Sequence, residues 1–306
     1  MLHFFEAQYS NVWCKARWQL VGIAATLTCL TGCSPKYLIV QGVANELAAQ
    51  GKAAEEDLVL AREASAFYLK LSEALLREVP DNIGLSESVA AGFTQYAYAF
   101  VSLEADRIES KDIRMAQSLR ERAARLYLRA HTHAMASLAR TYPHLRQSLQ
   151  SAHPEQWPPL ESAHIGLAYW AAASWGGYIA LSTDSPDIVA DLPLAIRLAT
   201  LAYARSPHYG QGALASLMGT FETSRPGGSS EQALTYFDQA IALGDGRSAG
   251  AFVAKAEGIA LPKGDRASFE MLLHKALAAS KTHPGLQNAV MRERATWMLS
   301  QADDLF

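Results

Sequence analysis

Along this chain, apolar residues recur every three or four positions and do not alternate. In residues 231–243 (EQALTYFDQAIAL), Ala233, Phe237, Ala240 and Ile241 fall at i, i+4, i+7 and i+8, which places them on one face of a helix. The preceding Ser229-Ser230-Glu231-Gln232 reads as a capping box, with Ser229 at the N-cap and Gln232 at N3. Gly244 reads as the stop. Asp184-Ser185-Pro186-Asp187 predicts another helix start, with Pro186 at the first helical position. Alanine is abundant, β-branched runs are scarce, and convincing strand alternation is absent. The pattern predicts an all-α fold.

The helical pattern itself repeats. Ala195, Ala199, Ala202 and Pro207 stand at offsets 0, 4, 7 and 12. Ala233, Phe237 and Ala240 repeat the first three offsets, with Asp245 at the fourth, and Phe269, Leu273 and Ala276 do so again. This spacing is the second-helix signature of tetratricopeptide-like repeats, whose usual period is about 34 residues. Small residues let adjacent helices approach, a larger one fills the groove, and proline ends the unit. The expected architecture is a degenerate array of helical hairpins, an α-solenoid or bundle.

The N-terminus carries a different pattern. Lys15 and Arg17 precede an uncharged apolar run, residues 18–30 (WQLVGIAATLTCL). That run is too short to cross a bilayer, which takes roughly 20 apolar residues, and has the length of a signal-peptide core. Leu30-Thr31-Gly32-Cys33 resembles the bacterial lipobox. The expectation is a signal peptide over residues 1–32, with cleavage before Cys33 and acylation of that cysteine. Residues 33–306 are then the helical domain. The other two cysteines, Cys14 and Cys29, lie inside the expected signal, so the mature chain would hold no internal disulfide. The stretch before Lys15 is long for a signal, and a start at Val12 would leave a compact one.

Charge narrows the partners. The chain has 27 Lys+Arg against 30 Asp+Glu, a net charge of −3, and no basic run, so nucleic acid is excluded as an expected partner. Hydrophobic residues make up 50%, enough for a large core.

Residues 173–242 resemble the TRAP-transporter-associated T component, a family of bacterial lipoproteins. The resemblance is carried by Trp175 with Ile179-Ala180-Leu181, Asp191-Leu192-Pro193, and Pro207-x-Tyr209-x2-Gly212-Ala213. Pro226-Gly227-Gly228 and Ala233-x3-Phe237-x2-Ala240 follow. Downstream it continues through Gly246-Arg247, Asp265-Arg266-x2-Phe269-x2-Leu272-Leu273 and Asn288-x5-Arg294-Ala295-x-Trp297-x-Leu299. Upstream, Leu69-Lys70-x2-Glu73-x-Leu75-Leu76 and 93–100 (FTQYAYAF) fit as well. Two positions depart: Ser229 stands where the family has an acid, and Ala66 where it often has proline. Both read as local cap changes. The resemblance implies a helical array that assembles as a homotrimer, encloses a cavity or pore in each protomer, and docks a P-type periplasmic substrate-binding protein. It implies assistance to the uptake of small hydrophobic or organic-acid ligands, without a cofactor. Ser34 after Cys33 lacks the aspartate associated with inner-membrane retention, so outer-membrane attachment on the periplasmic face is expected.

Three constellations invite chemistry. Gly246-Arg247-Ser248-Ala249-Gly250 matches the G-x-S-x-G nucleophile elbow, which needs a strand before the serine. Here the preceding segment is helical by pattern, which favours a turn between helices over a hydrolase acting through Ser248. His131 and His133 are two apart and point about 200° apart on a helix, so they predict no metal site. Tyr169-Trp170 and Trp175-Gly176-Gly177-Tyr178 form the richest aromatic segment. Trp170, Trp175 and Tyr178 are candidates to line a ligand cavity, with Gly176 and Gly177 opening space, and Tyr209 is a lesser candidate. The opposing reading is a central helix buried on all sides. A lipid-anchored uptake accessory protein, a ligand-free envelope scaffold of the same architecture and a serine hydrolase remain as readings, the first favoured.

Overall fold

The computed structural model describes residues 41–46 and 55–306, and Ala44–Phe306 forms one compact unit. The expected signal, Cys33 and the Val12 start lie outside the described residues. Among the described residues every regular element is helical and no strand occurs. In chain order the helices are α1 (Leu58–Glu78), α2 (Ile83–Ala97), α3 (Leu103–Ile108), α4 (Ile113–Thr141), α5 (Leu145–Ser148) and α6 (Ile165–Ala180). They continue with α7 (Pro186–Val189), α8 (Leu192–Arg205), α9 (Ala213–Ser224), α10 (Ser230–Leu243), α11 (Ala249–Lys255), α12 (Arg266–Thr282), α13 (Leu286–Ser300) and α14 (Ala302–Leu305).

Short polar side chains set the helix starts. Asp57, Asn82, Asp112, Ser229 and Asp265 each accept a hydrogen bond from a first-turn backbone N–H. Such a cap stabilises its helix by about 1 kcal/mol. At Ser229 half of the expected capping box forms. Its hydroxyl accepts from the Gln232 N–H at 3.1 Å, and its own N–H turns to Glu222 at 2.8 Å. Gly244 caps the end of α10, and Pro186 opens α7. Ala66 lies inside α1 and not at a cap, so that departure from the family acts differently from the expectation. Alanine there lets a long helix run on, where proline would remove a hydrogen bond and kink it.

Helices near in sequence pack against one another. α4 lies on α2 and α6, α6 on α8, α9 on α10, and α12 on α11 and α13. The nine residues at the first three offsets of the repeat, from Ala195 to Ala276, are buried to within 1% exposure, whereas Pro207 and Asp245 at the fourth are half-buried and exposed, so the register read from spacing is the packed one. α6 is the central helix of the first half. Ala168, Ala171 and Ala172 are fully buried and let its neighbours come close. Phe269, Leu273 and Ala276 of α12 centre the core of the second half.

The last long helix meets the first: α13 packs on α1, and its side chains reach α3. Arg294 of α13 donates to Asp106 of α3 at 2.6 Å and pairs with Glu257, while Arg107 donates to Glu293 at 3.1 Å. Arg120 joins the group through Asp106 and Glu109. Two π-helical turns flank this seam, Tyr98–Ser102 between α2 and α3 and Ala256–Ala260 after α11. Each carries one of its polar groups, Tyr98 and Glu257. Insertions of this kind recur at functional positions in helices.

Candidate functional site

The aromatic segment of α6 divides into three environments. Trp175 is core: its ring is 2% exposed, packs on His131 at 4.3 Å between centroids, and lies under the Arg146 guanidinium at 5.0 Å. So little open surface leaves almost nothing for a ligand to touch. The space expected at the two glycines is filled by neighbours. The Phe221 ring lies against Gly176 and the Tyr127 ring against Gly177. Tyr178 points to a second cluster with Tyr127, Ala97 and Val101. Nine positions along a helix place it half a turn away from Tyr169.

Trp170 and Tyr209 come together, although they belong to different elements. The Tyr209 ring stands 5.2 Å from Tyr169, and Tyr169 stands 4.8 Å from Trp170 in an edge-on arrangement. All three rings are half-buried. Tyr209 is aimed by an unusual turn in which Gly210, Gln211 and Gly212 all have positive φ, at 61°, 53° and 96°. The glycines adopt this conformation freely, whereas Gln211 pays strain. Gly212 could not be replaced cheaply, since a Cβ would fall 2.4 Å from the Ala240 carbonyl oxygen.

The structure adds Glu87, which pattern reading passes over. Its carboxylate accepts from the Tyr209 hydroxyl at 2.9 Å across 122 positions of sequence. Gly166 makes this possible, because a Cβ there would sit 2.2 Å from a Glu87 oxygen. No local signal links residues 87, 166 and 209; only the packing of α2 on α6 does. Glu87, Ala91 and Gln95 of α2, with Tyr98 of the π-helical turn that follows, lie on one face and are half-buried, as are Ile83, Ser88, Gly92 and Tyr96 elsewhere on the helix, while Ala90, Phe93 and Ala97 are buried. Glu87 marks one end of this face, and Tyr98 marks the other, beside the Arg294 seam.

The electrostatics of the face are those of a dry surface. Burial pushes the Tyr169 hydroxyl up to about 12. Burial, the charge of Glu87 and its hydrogen bond raise Tyr209 further. Burial, followed by the charge of Glu257, does the same for Tyr98. All three hydroxyls remain protonated at neutral pH and can donate.

The other candidates have structural partners. Ser248 caps α11 after a turn that follows helix α10, so the strand required for a nucleophile elbow is missing there. His131 bonds the Ala171 carbonyl, whereas His133 bonds Glu73. Among the described residues no three His, Cys, Asp or Glu side chains are grouped to hold a metal. Two open grooves lie elsewhere, of about 870 Å³ beside α1 and α13 and about 390 Å³ between α10 and α12, and neither includes the aromatic candidates.

The family model of the TRAP transporter T-component matches residues 54–306, nearly all of the helical unit. The chain belongs to the TRAP transporter T-component family. A protein of Treponema pallidum (strain Nichols), described as uncharacterized, is 27% identical over 266 residues, covering 82% of this chain and 81% of its own length. Membership makes the chain an accessory component of TRAP transport, associated with the cell envelope. Among the described residues no helix is long and apolar enough to cross a membrane. In this T component, Asn288 and Arg294 of the expected signature both have visible structural work. Asn288 accepts from the Ala249 N–H and donates to the carbonyls of Arg247 and His283, and Arg294 closes the seam.

Proposed function

We propose that this T component is a lipid-anchored periplasmic protein that docks a P-type substrate-binding protein and holds a small ligand of largely apolar body against the Glu87–Tyr209–Trp170 face. In this reading residues 1–32 are removed, Cys33 is acylated, and residues 33–306 assemble as a homotrimer at the periplasmic side of the outer membrane. The family match over residues 54–306 carries the transport role. The half-buried aromatic face, with few and well-placed polar groups, supports the ligand role. The protein binds and does not react.

The test is direct capture. The tagged body, residues 33–306, is mixed with a P-type substrate-binding protein from the same genome and analysed by size-exclusion chromatography with light scattering. The expected result is co-elution at a mass of three T protomers plus bound P protein. Separate elution at every concentration up to 100 times that of a typical micromolar interface, about 10⁻⁴ M, rejects the docking role.

A further inference from the structure

Glu73, Asp106, Glu222 and Glu257 each face an arginine or lysine within the fold. Glu87 does not. It is half-buried, and its one hydrogen-bond partner among the described residues is the neutral Tyr209 hydroxyl. A carboxylate withdrawn from water without a counter-charge is costly, so proteins pair such groups. The N-terminus of α2, one turn away, offsets only part of this charge. The carboxylate is nevertheless held deliberately, since Gly166 clears space for it and the strained turn at Gln211 brings Tyr209 to it. Tyr209, which holds it, has its ring against Tyr169, and Tyr169 in turn lies against Trp170; the π faces of such rings attract cations.

We propose that Glu87, Tyr209, Tyr169 and Trp170 form a recognition site for the cationic end of an organic amine, with Glu87 as its counter-ion. The ammonium N–H donates to Glu87, the Tyr209 hydroxyl keeps the other lone pairs oriented, and the aromatic rings cover the charge. The apolar body of the ligand then runs along Ala91 toward Tyr98. This rests on the reading of the face as a ligand site and names the chemistry of what it takes. A plain carboxylic acid is disfavoured here, because its charge would meet that of Glu87 in a poorly solvated place.

Isothermal titration on the full mature body compares octylamine and tryptamine with octanoate and indole-3-propionate, against the wild type, Glu87→Gln and Trp170→Ala. Glu87→Gln keeps the shape and the Tyr209 hydrogen bond, and its circular dichroism melt checks that it folds. The expected result is binding of the amines but not the acids, weakened roughly ten- to a hundredfold by Glu87→Gln and also weakened by Trp170→Ala. Equal amine affinity in the wild type and Glu87→Gln overturns the assignment. Acid binding that is lost in Trp170→Ala and indifferent to Glu87→Gln also overturns it, while leaving the ligand face standing. No binding of either series by the wild type removes both the assignment and the ligand face.

Discussion

His131 shows how one buried side chain ties stability to pH. It is 7% exposed, bonded to the Ala171 carbonyl and packed at a tilt against Trp175. Burial holds its pKa down from 6.5 to about 4, Arg146 adding to that effect while the Ala171 carbonyl and Asp191 oppose it. Between those values the unfolded chain takes up a proton that the folded chain refuses. Stability therefore falls as pH drops from 6.5 toward 4, by an amount approaching about 3 kcal/mol. Glu73 acts in a lower window. Burial alone would raise its pKa, but hydrogen bonds from Arg129, Lys70 and His133 outweigh that and hold it at about 2. Its contribution is lost only as pH falls below its ordinary value of 4.5. His131→Gln should flatten the decline in melting temperature between pH 6.5 and 4.5 and keep the loss below it. A wild-type decline unchanged in that variant would remove His131 as its source.

At the scale of elements, side chains reaching across loops decide how neighbouring helices are joined. α11 is short and begins at Ser248, whose hydroxyl makes no capping bond. Asn288 of α13 supplies the missing cap from outside. It accepts from the Ala249 N–H at 2.9 Å and donates to Arg247 and His283 carbonyls at 2.9 Å and 2.7 Å. One amide thus satisfies backbone groups at the start of α11 and at the end of α12. Asn288→Ala should cost about 2–3 kcal/mol, near 1 kcal/mol for each lost bond, and should lower urea midpoints without changing helix content. A midpoint equal to wild type would mean that water replaces the amide fully.

Over the whole molecule, the seam between α13 and α3 is the contact that turns an open array into a closed one. Arg294 is its centre, with a guanidinium 15% exposed, shared by Asp106 and Glu257 and lying 5.2 Å from the Trp297 ring. Removing one member of such a group leaves its partners desolvated and uncompensated, at a cost on the order of 3–5 kcal/mol. Arg294→Ala should raise amide exchange in α13 and in the turn Tyr98–Ser102, while α6 and α8, at the centre of the other core, keep wild-type protection. Uniform change across the chain would show that the seam is not a separate closing contact.

Much of this was legible in the sequence. The all-α class, the repeat register of Ala195, Phe237 and Leu273, the cap at Ser229 and the stop at Gly244 follow from spacing and local chemistry, because helix periodicity and capping involve residues at most a few positions apart. Family membership was legible for the same reason, since ordered short motifs survive in linear form. The division of the aromatics was not. Trp170 and Trp175 look equivalent in sequence, and only the rotation of α6 against α4 and α8 buries one and leaves the other half-open. Glu87 and Tyr209, or Arg294 and Asp106, meet across more than a hundred residues, and nothing local encodes such a meeting. The packing of the helices brings them together, and so the tertiary structure alone decided which polar groups share the interior face.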